Sequence, residues 1–281
     1  MPEVSRVKRM NDMEPVIRVE NVVKRHAGRG LGKRAADFTA VDSVSFSIFP
    51  ATTLALVGES GSGKSSLALC LACLERVTAG QIWFEGRDLT ALEEKELRAV
   101  RPRLQMVFQD PASSLNPRWT VGEIVAEPLL VQGHLSKRER RARAAQALEQ
   151  VGLAAEYLPR SPGELSGGQR QRVAIARALV LEPKLLILDE VLSALDCSIQ
   201  AQIANLLVEL QRLYGIAYLF ITHDLRMAGH LADEIAVMSG GKIVEHGVAN
   251  AILRSPLHAF TRSLIGARPL APETMGTVRE R

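Results

Sequence analysis

One stretch of eight residues constrains this chain more than any other feature. Gly58, Glu59, Ser60, Gly61, Ser62, Gly63, Lys64 and Ser65 fit the spacing G-x-x-x-x-G-K-[ST]. They follow 53–57, which reads as a continuous buried strand, and lead into a stretch from Lys64 to about Leu74 that reads as a helix. Strand, glycine-rich loop and helix in that order form the context in which such a loop holds phosphate. The glycines let successive backbone N–H groups curl round phosphate oxygens, and the helix adds the positive end of its dipole. Lys64 is expected to reach the β- and γ-phosphates, and the Ser65 hydroxyl to hold Mg²⁺.

A carboxylate must complete such a metal site. Leu185-Leu-Ile-Leu supplies four apolar strand residues that end in Asp189 and Glu190, at the sheet edge where ligands of α/β folds sit. Asp189 is expected to bind Mg²⁺ through water. Glu190, one residue on, points differently and can act as general base toward an attacking water. ATP or GTP hydrolysis is therefore the first expectation.

Around these motifs, 16–20 alternates like an edge strand, 41–49 alternates more clearly, and 27–37 is a Gly- and basic-rich loop. A strand is expected at 81–84, and a mostly helical stretch from about 91 to 165. Within that stretch, Ser136 and Glu139 form a capping box for a helix to about Gln150. After residue 166 the pattern returns to α/β: a helix to about Leu181, a strand at 185–188, a helix near 199–214 and a strand at 217–221.

Composition removes several alternatives. With 281 residues, 47% of them apolar, the chain can bury a full core and is too apolar for disorder. Its longest apolar run, 67–74, is far short of the ~20 residues of a membrane-spanning helix. No N-terminal apolar segment resembles a signal peptide, so the chain is expected to stay where it is made. The net charge of +4 gathers in residues 1–36, which hold nine Lys or Arg against four acids. A basic arm on a near-neutral body is no nucleic-acid groove, and no nucleic-acid partner is expected. Cys70 and Cys73 form a C-x-x-C, but they lie one helical turn apart inside an apolar run and read as core rather than as half a metal site.

Leu165-Ser166-Gly167-Gly168-Gln169 narrows the reading. Two glycines before a helix offer N–H groups to an anion, a task the first loop already fills, so a second such start suggests another subunit's nucleotide. Here the chain resembles the ATP-binding subunit of an ABC transporter, whose signature is Leu-Ser-Gly-Gly-Gln. That resemblance implies that Ser166, Gly167 and Gly168 cap the γ-phosphate held by a partner subunit, with Gln169 counted among the nucleotide-binding residues. It assigns Gln109 to sensing Mg²⁺ and the γ-phosphate at the transmembrane interface. Asp196, in Ser193-Ala-Leu-Asp196, is assigned to linking the two sites, and His223 to contacting the γ-phosphate and positioning the water. Ser66 joins the nucleotide contacts. Where the family has an aromatic residue on adenine this chain has His26, with Phe38 as the second candidate. Val191-Leu192 and Ala51-Thr52 also depart from the family pattern, without removing a catalytic group.

The likeness covers residue 16 to about 269, and a narrower one appears at 105–124, 126–129 and 255–264, which resemble the oligopeptide, dipeptide and nickel importer subfamily. What this implies is an α/β fold: a P-loop NTPase (RecA-like) core with an N-terminal antiparallel β subdomain and an inserted helical subdomain. The expected division is a flexible tail at 1–15, an ATP-binding domain at 16–254 with its helical insertion at about 91–165, and a subfamily extension at 255–281. The implied ligands are ATP and Mg²⁺. The implied partners are a second ATPase subunit, identical or paralogous, two transmembrane permease subunits and an external substrate-binding protein. The implied location is the cytoplasmic face of a bacterial inner membrane. The alternatives are an exporter ATPase, or a soluble ABC ATPase of DNA repair or translation.

Overall fold

The chain is built on two sheets. A computed structural model describes residues 13–27, 37–110, 114–193 and 195–267. Much of the basic arm, part of the tail and residues 268–281 therefore lie outside the described residues. The first sheet is antiparallel, made from β1 (Ile17–His26), β2 (Phe38–Ile48), β4 (Ala79–Phe84) and the two-residue β5 (Arg87–Asp88), in the order β2-β1-β4-β5. The second has β3 (Thr53–Val57), β6 (Leu104–Val107), β7 (Leu185–Asp189), β8 (Ala217–Thr222), β9 (Glu234–Ser239) and β10 (Lys242–Val248), in the order β10-β9-β3-β8-β7-β6. Its strands run parallel, except that β10 turns back on β9.

β3, β7 and β8 are buried at every position, as continuous apolar runs are when both faces of a parallel sheet are covered. The two-residue alternation of strand side chains divides them between two cores. Leu54, Leu56, Ile187, Leu219 and Ile221 pack with the antiparallel sheet, with α1 (Lys64–Leu71) and with α2 (Glu94–Val100). Ala55, Val57, Leu186, Leu188 and Phe220 face the other way. There they meet α3 (Val121–Gln132), α4 (Lys137–Gln150), α5 (Gly167–Leu179) and α6 (Cys197–Tyr214). The short helices α7 (Leu225–Leu231), α8 (Ala249–Arg254) and α9 (Ala259–Ala267) extend that second core. Capping boxes open α3 at Thr120 and Glu123 and α4 at Ser136 and Glu139. This α/β architecture agrees with the expected fold class.

Three local expectations change. β1 is an interior strand rather than an edge, because β4 returns alongside it, and it runs on to His26. β6 lies within the stretch read as mostly helical, and its pairing with β7 makes it a strand of the parallel sheet. α1 stops at Leu71 instead of Leu74, since Cys73 adopts a left-handed conformation (φ 55°) that ends the helix. The consequence for function is a shared edge. β3 leads into the glycine loop, β6 toward Gln109, β7 into Asp189 and Glu190, and β8 into His223. All four strands are parallel, so these residues gather where the strands' C-terminal ends meet.

Candidate functional site

The loop at 58–63 is held close to its neighbours, and two glycines make that possible. A Cβ on Gly58 would lie 2.2 Å from the Met238 carbonyl oxygen, and one on Gly63 2.1 Å from that of Ala40. Gly63 also has φ 105°, a conformation that side chains with a Cβ rarely adopt. Lys64, 4% exposed, curls beneath the loop. Its Nζ donates to the carbonyls of Gly58 (2.8 Å) and Glu59 (2.7 Å) and to the Ser62 hydroxyl (3.2 Å). Burial pulls the Lys64 pKa down, against the opposing pull of Glu190, Asp189 and Glu59. A phosphate on this loop would meet a nearly dehydrated cation beside a helix N-terminus.

Asp189 closes the opposite wall at the end of β7. It is 8% exposed, and its Oδ1 is buried without a hydrogen-bond partner. Burial raises its pKa and the Glu190 charge raises it further, while the Ser65 hydroxyl and Lys64 lower it. A carboxylate with one buried oxygen left without a donor, and with the Ser65 hydroxyl beside the group, suits a hard divalent cation that prefers oxygen ligands. The residues present therefore fit Mg²⁺.

Glu190 has φ 48°, uncommon for a residue with a Cβ, and its backbone N–H donates to the Ile221 carbonyl (3.0 Å). Strain of this kind concentrates at functional sites. Two further candidates converge on its side chain: Gln109 Nε2 donates to Glu190 Oε2 (3.2 Å), and His223 Nδ1 lies 3.4 Å from the same oxygen. Three residues far apart in the sequence, 109, 190 and 223, thus share one carboxylate. Ser193 binds the Glu190 carbonyl through its hydroxyl (2.8 Å), and Asp196 stands at the N-cap of α6. Ala194, between them, lies outside the described residues.

His26, at the end of β1 in the antiparallel sheet, reaches the start of α1. Its Nε2 is 3.5 Å from the Ser66 hydroxyl, and Phe38, the other candidate for the base, is its register partner on β2. Both candidates therefore sit together at one sheet corner, with His26 the one next to α1. Glu59, Ser60 and Gly61 form the exposed lip of the loop.

The signature residues stand apart. Ser166 caps α5, its hydroxyl accepting from the Gln169 N–H (3.3 Å) while Gln169 Oε1 accepts from the Ser166 N–H (2.9 Å). Gly168 packs against Ile199, whose Cγ2 would be 2.7 Å from an added Cβ. Among the described residues, no hydrogen bond or ion pair joins 166–169 to the 58–66 loop. One residue unmarked in the sequence belongs to this group: the Tyr157 hydroxyl accepts from Gln169 Nε2 (3.0 Å). Away from the site, burial pushes the Cys70 and Cys73 thiols up to about 11, which fits their reading as core.

Residues 41–193 match the family model described as ABC transporter. The glutathione import ATP-binding proteins GsiA of Escherichia coli (strain K12) and Shigella flexneri serotype 5b (strain 8401) are each 48% identical over 266 residues, covering 94% of this chain. The chain spans less than half of those relatives, 43% of each. A post-hydrolysis dimer of the ATP-binding cassette MJ0796 with ADP and Pi aligns at TM-score 0.73 and 30% identity, covering 83% of this chain and 98% of that one. The cbiO1 protein of Clostridium perfringens, part of the ABC transporter complex cbiONQ, aligns at TM-score 0.75 and 27% identity, covering 91% and 96%. The glycine loop, the strand-end carboxylates and the match over 41–193 lead to one conclusion: the chain belongs to the ABC transporter family.

Proposed function

We propose that this chain is the ATP-hydrolysing subunit of an importer, working as one of two paired cassettes that hold two nucleotides between them. The observation that carries the reading is the convergence of Gln109 and His223 on the Glu190 carboxylate, beside the buried pair Lys64 and Asp189. In this reading Lys64 Nζ and the loop N–H groups bind the β- and γ-phosphates. Asp189 and Ser65 would hold Mg²⁺, with Gln109 nearby, and the ion would supply positive charge against the phosphate oxygens. Glu190 takes the proton of the attacking water as the bond to the leaving ADP breaks, His223 positions that water, and Gln109 senses the change. His26 lies under the base. Ser166, Gly167 and Gly168 of each cassette cap the γ-phosphate bound by the other, and Asp196 links the two sites.

For cargo, we propose short peptides over nickel. The relatives covering 94% of this chain are named for glutathione, itself a short peptide. Among the described residues no helix is long and apolar enough to cross a membrane, so the reading assigns the crossing to two permease subunits, with an external binding protein presenting the cargo. A cleft of about 560 Å³ beside β6 and α3 exposes Leu74, Phe108 and Val131 next to Gln109. Such an apolar rim suits a permease segment, with the chain held at the cytoplasmic membrane face.

The test is to isolate the chain with whatever it binds in its native membrane, reconstitute that complex in vesicles, and measure hydrolysis with short peptides and with Ni²⁺. Peptide-stimulated hydrolysis coupled to peptide uptake is the expected result. Stimulation by Ni²⁺ alone would overturn the cargo assignment, and co-isolation with ribosomes or DNA instead of polytopic membrane proteins would overturn transport.

A further inference from the structure

The signature helix is held in place by a tyrosine that no motif marks. Tyr157 ends a short 3₁₀ turn (Ala155–Tyr157), ten residues before α5 begins. Its hydroxyl accepts from Gln169 Nε2, and the other end of that amide, Oε1, accepts from the Ser166 N–H. The guanidinium of Arg160 lies 4.2 Å from the centre of the Tyr157 ring, a cation–π contact that fixes the ring from its face. The same segment grips the start of α3: the carbonyls of Leu158 and Arg160 accept from the N–H groups of Gly122 (2.9 Å) and Val121 (2.8 Å). Tyr157 is thus tied to a second helix as well as to Gln169.

Both ends of the Gln169 amide are engaged within the chain, so its side chain is placed to hold Ser166 rather than to contact a nucleotide. We propose that Tyr157 is a positioning residue for the signature: through Gln169 it sets the orientation of Ser166 and of the Gly167 and Gly168 N–H groups that meet the partner cassette's γ-phosphate. This rests on the paired-cassette reading above. A helix start that presents N–H donors to an anion loses strength steeply with misorientation, so the hydroxyl's removal acts on pairing and leaves the chain's own 58–65 loop untouched.

The experiment uses the full chain carrying Glu190→Gln, which slows hydrolysis so that ATP-driven association can be measured by sedimentation. Tyr157→Phe keeps the ring and its contact with Arg160 and deletes the hydroxyl alone. The bond is made within each chain, so its loss acts by letting the unpaired signature leave its pairing orientation. That penalty is at most about fivefold per copy, and the dimer dissociation constant at saturating ATP should rise by up to about 25-fold. ATP binding by the monomer, followed with a fluorescent ATP analogue, should stay unchanged, a separation that general loosening of the fold does not produce. In a Gln169→Leu background, Tyr157→Phe should add nothing, because the bond it deletes is already gone. Equal association with and without the hydroxyl, additive losses in the two backgrounds, or a matching loss of monomer ATP binding would each overturn the role given to Tyr157. The test takes the pair to be two copies of this chain, and a parent Glu190→Gln chain that stays monomeric at saturating ATP would overturn that pairing and the role given to Tyr157 in it.

Discussion

Gly61 and Gly63 share a loop and a left-handed backbone, yet the structure assigns them different tolerances. At Gly61 (φ 79°) an added Cβ meets nothing within 4 Å. Gly61→Ala therefore costs only the conformational term, about 1–2 kcal/mol. At Gly63 (φ 105°) the Cβ would stand 2.1 Å from the Ala40 carbonyl oxygen, a backbone atom of β2 that cannot swing away, and 2.8 Å from the flexible Met238 Cε. Overpacking of this kind adds about 1–3 kcal/mol to the same conformational term, so Gly63→Ala should cost about 2–5 kcal/mol. At about 2–4 °C per kcal/mol for a chain of this size, calorimetry of the ligand-free protein should show a loss of roughly 2–8 °C for Gly61→Ala. Gly63→Ala, on the same scale, should lose roughly 4–20 °C. The second variant should also bind ATP more weakly, because relieving the clash moves the first turn of α1 off the phosphates. Equal melting losses for the two variants would refute the contact between loop and β2 on which the difference rests.

Other consequences follow from single side chains. Lys64→Met removes the buried ammonium and should weaken ATP binding by roughly 10- to 150-fold, the range for a charged hydrogen bond, in a fluorescent-nucleotide titration. Asp189→Asn removes a buried charge, so the ligand-free chain should melt higher while Mg²⁺-dependent hydrolysis falls by about 100-fold or more. At the C-terminal end, the Glu245 carboxylate accepts from the N–H groups of Leu257 (2.7 Å) and His258 (3.0 Å) ahead of α9. Burial raises the Glu245 pKa, but the Thr261 hydroxyl beside it and these two amides outweigh that and hold it low. A depressed carboxylate stabilises above its unfolded pKa of ~4.3 and loses that contribution as pH falls through the folded value. Protection of α9 amides from hydrogen exchange should therefore fall in acid, and Glu245→Ala should abolish that pH dependence at a cost of about 0.5–2 kcal/mol.

The features legible in the sequence were local. The loop at 58–65, the apolar strand ending in Asp189 and Glu190, and the Ser136–Glu139 box each state their structure within a few residues, because spacing alone determines which backbone groups they serve. β6 was hidden: four residues after Arg101-Pro-Arg become a strand only because β7, some 80 residues later, lies alongside. The interior position of β1 likewise depends on β4 returning beside it. Within the site, a resemblance suggested Gln109 and His223, but that both reach one oxygen of Glu190 is a tertiary fact. Tyr157 carried no signal, since nothing in its neighbourhood distinguishes a tyrosine bonded to Gln169 from one that merely packs.

The central claim is that Glu190 is the base of a hydrolytic centre assembled at the strand ends, and it is tested most directly by parallel ATP binding and steady-state hydrolysis measurements on Glu190→Gln. Glutamine keeps the shape and can still meet Gln109 and His223 but cannot take a proton. Hydrolysis should fall by about 10²- to 10⁴-fold while ATP affinity stays within about threefold of the parent chain. Turnover at the parent rate, with ATP bound, would contradict the account.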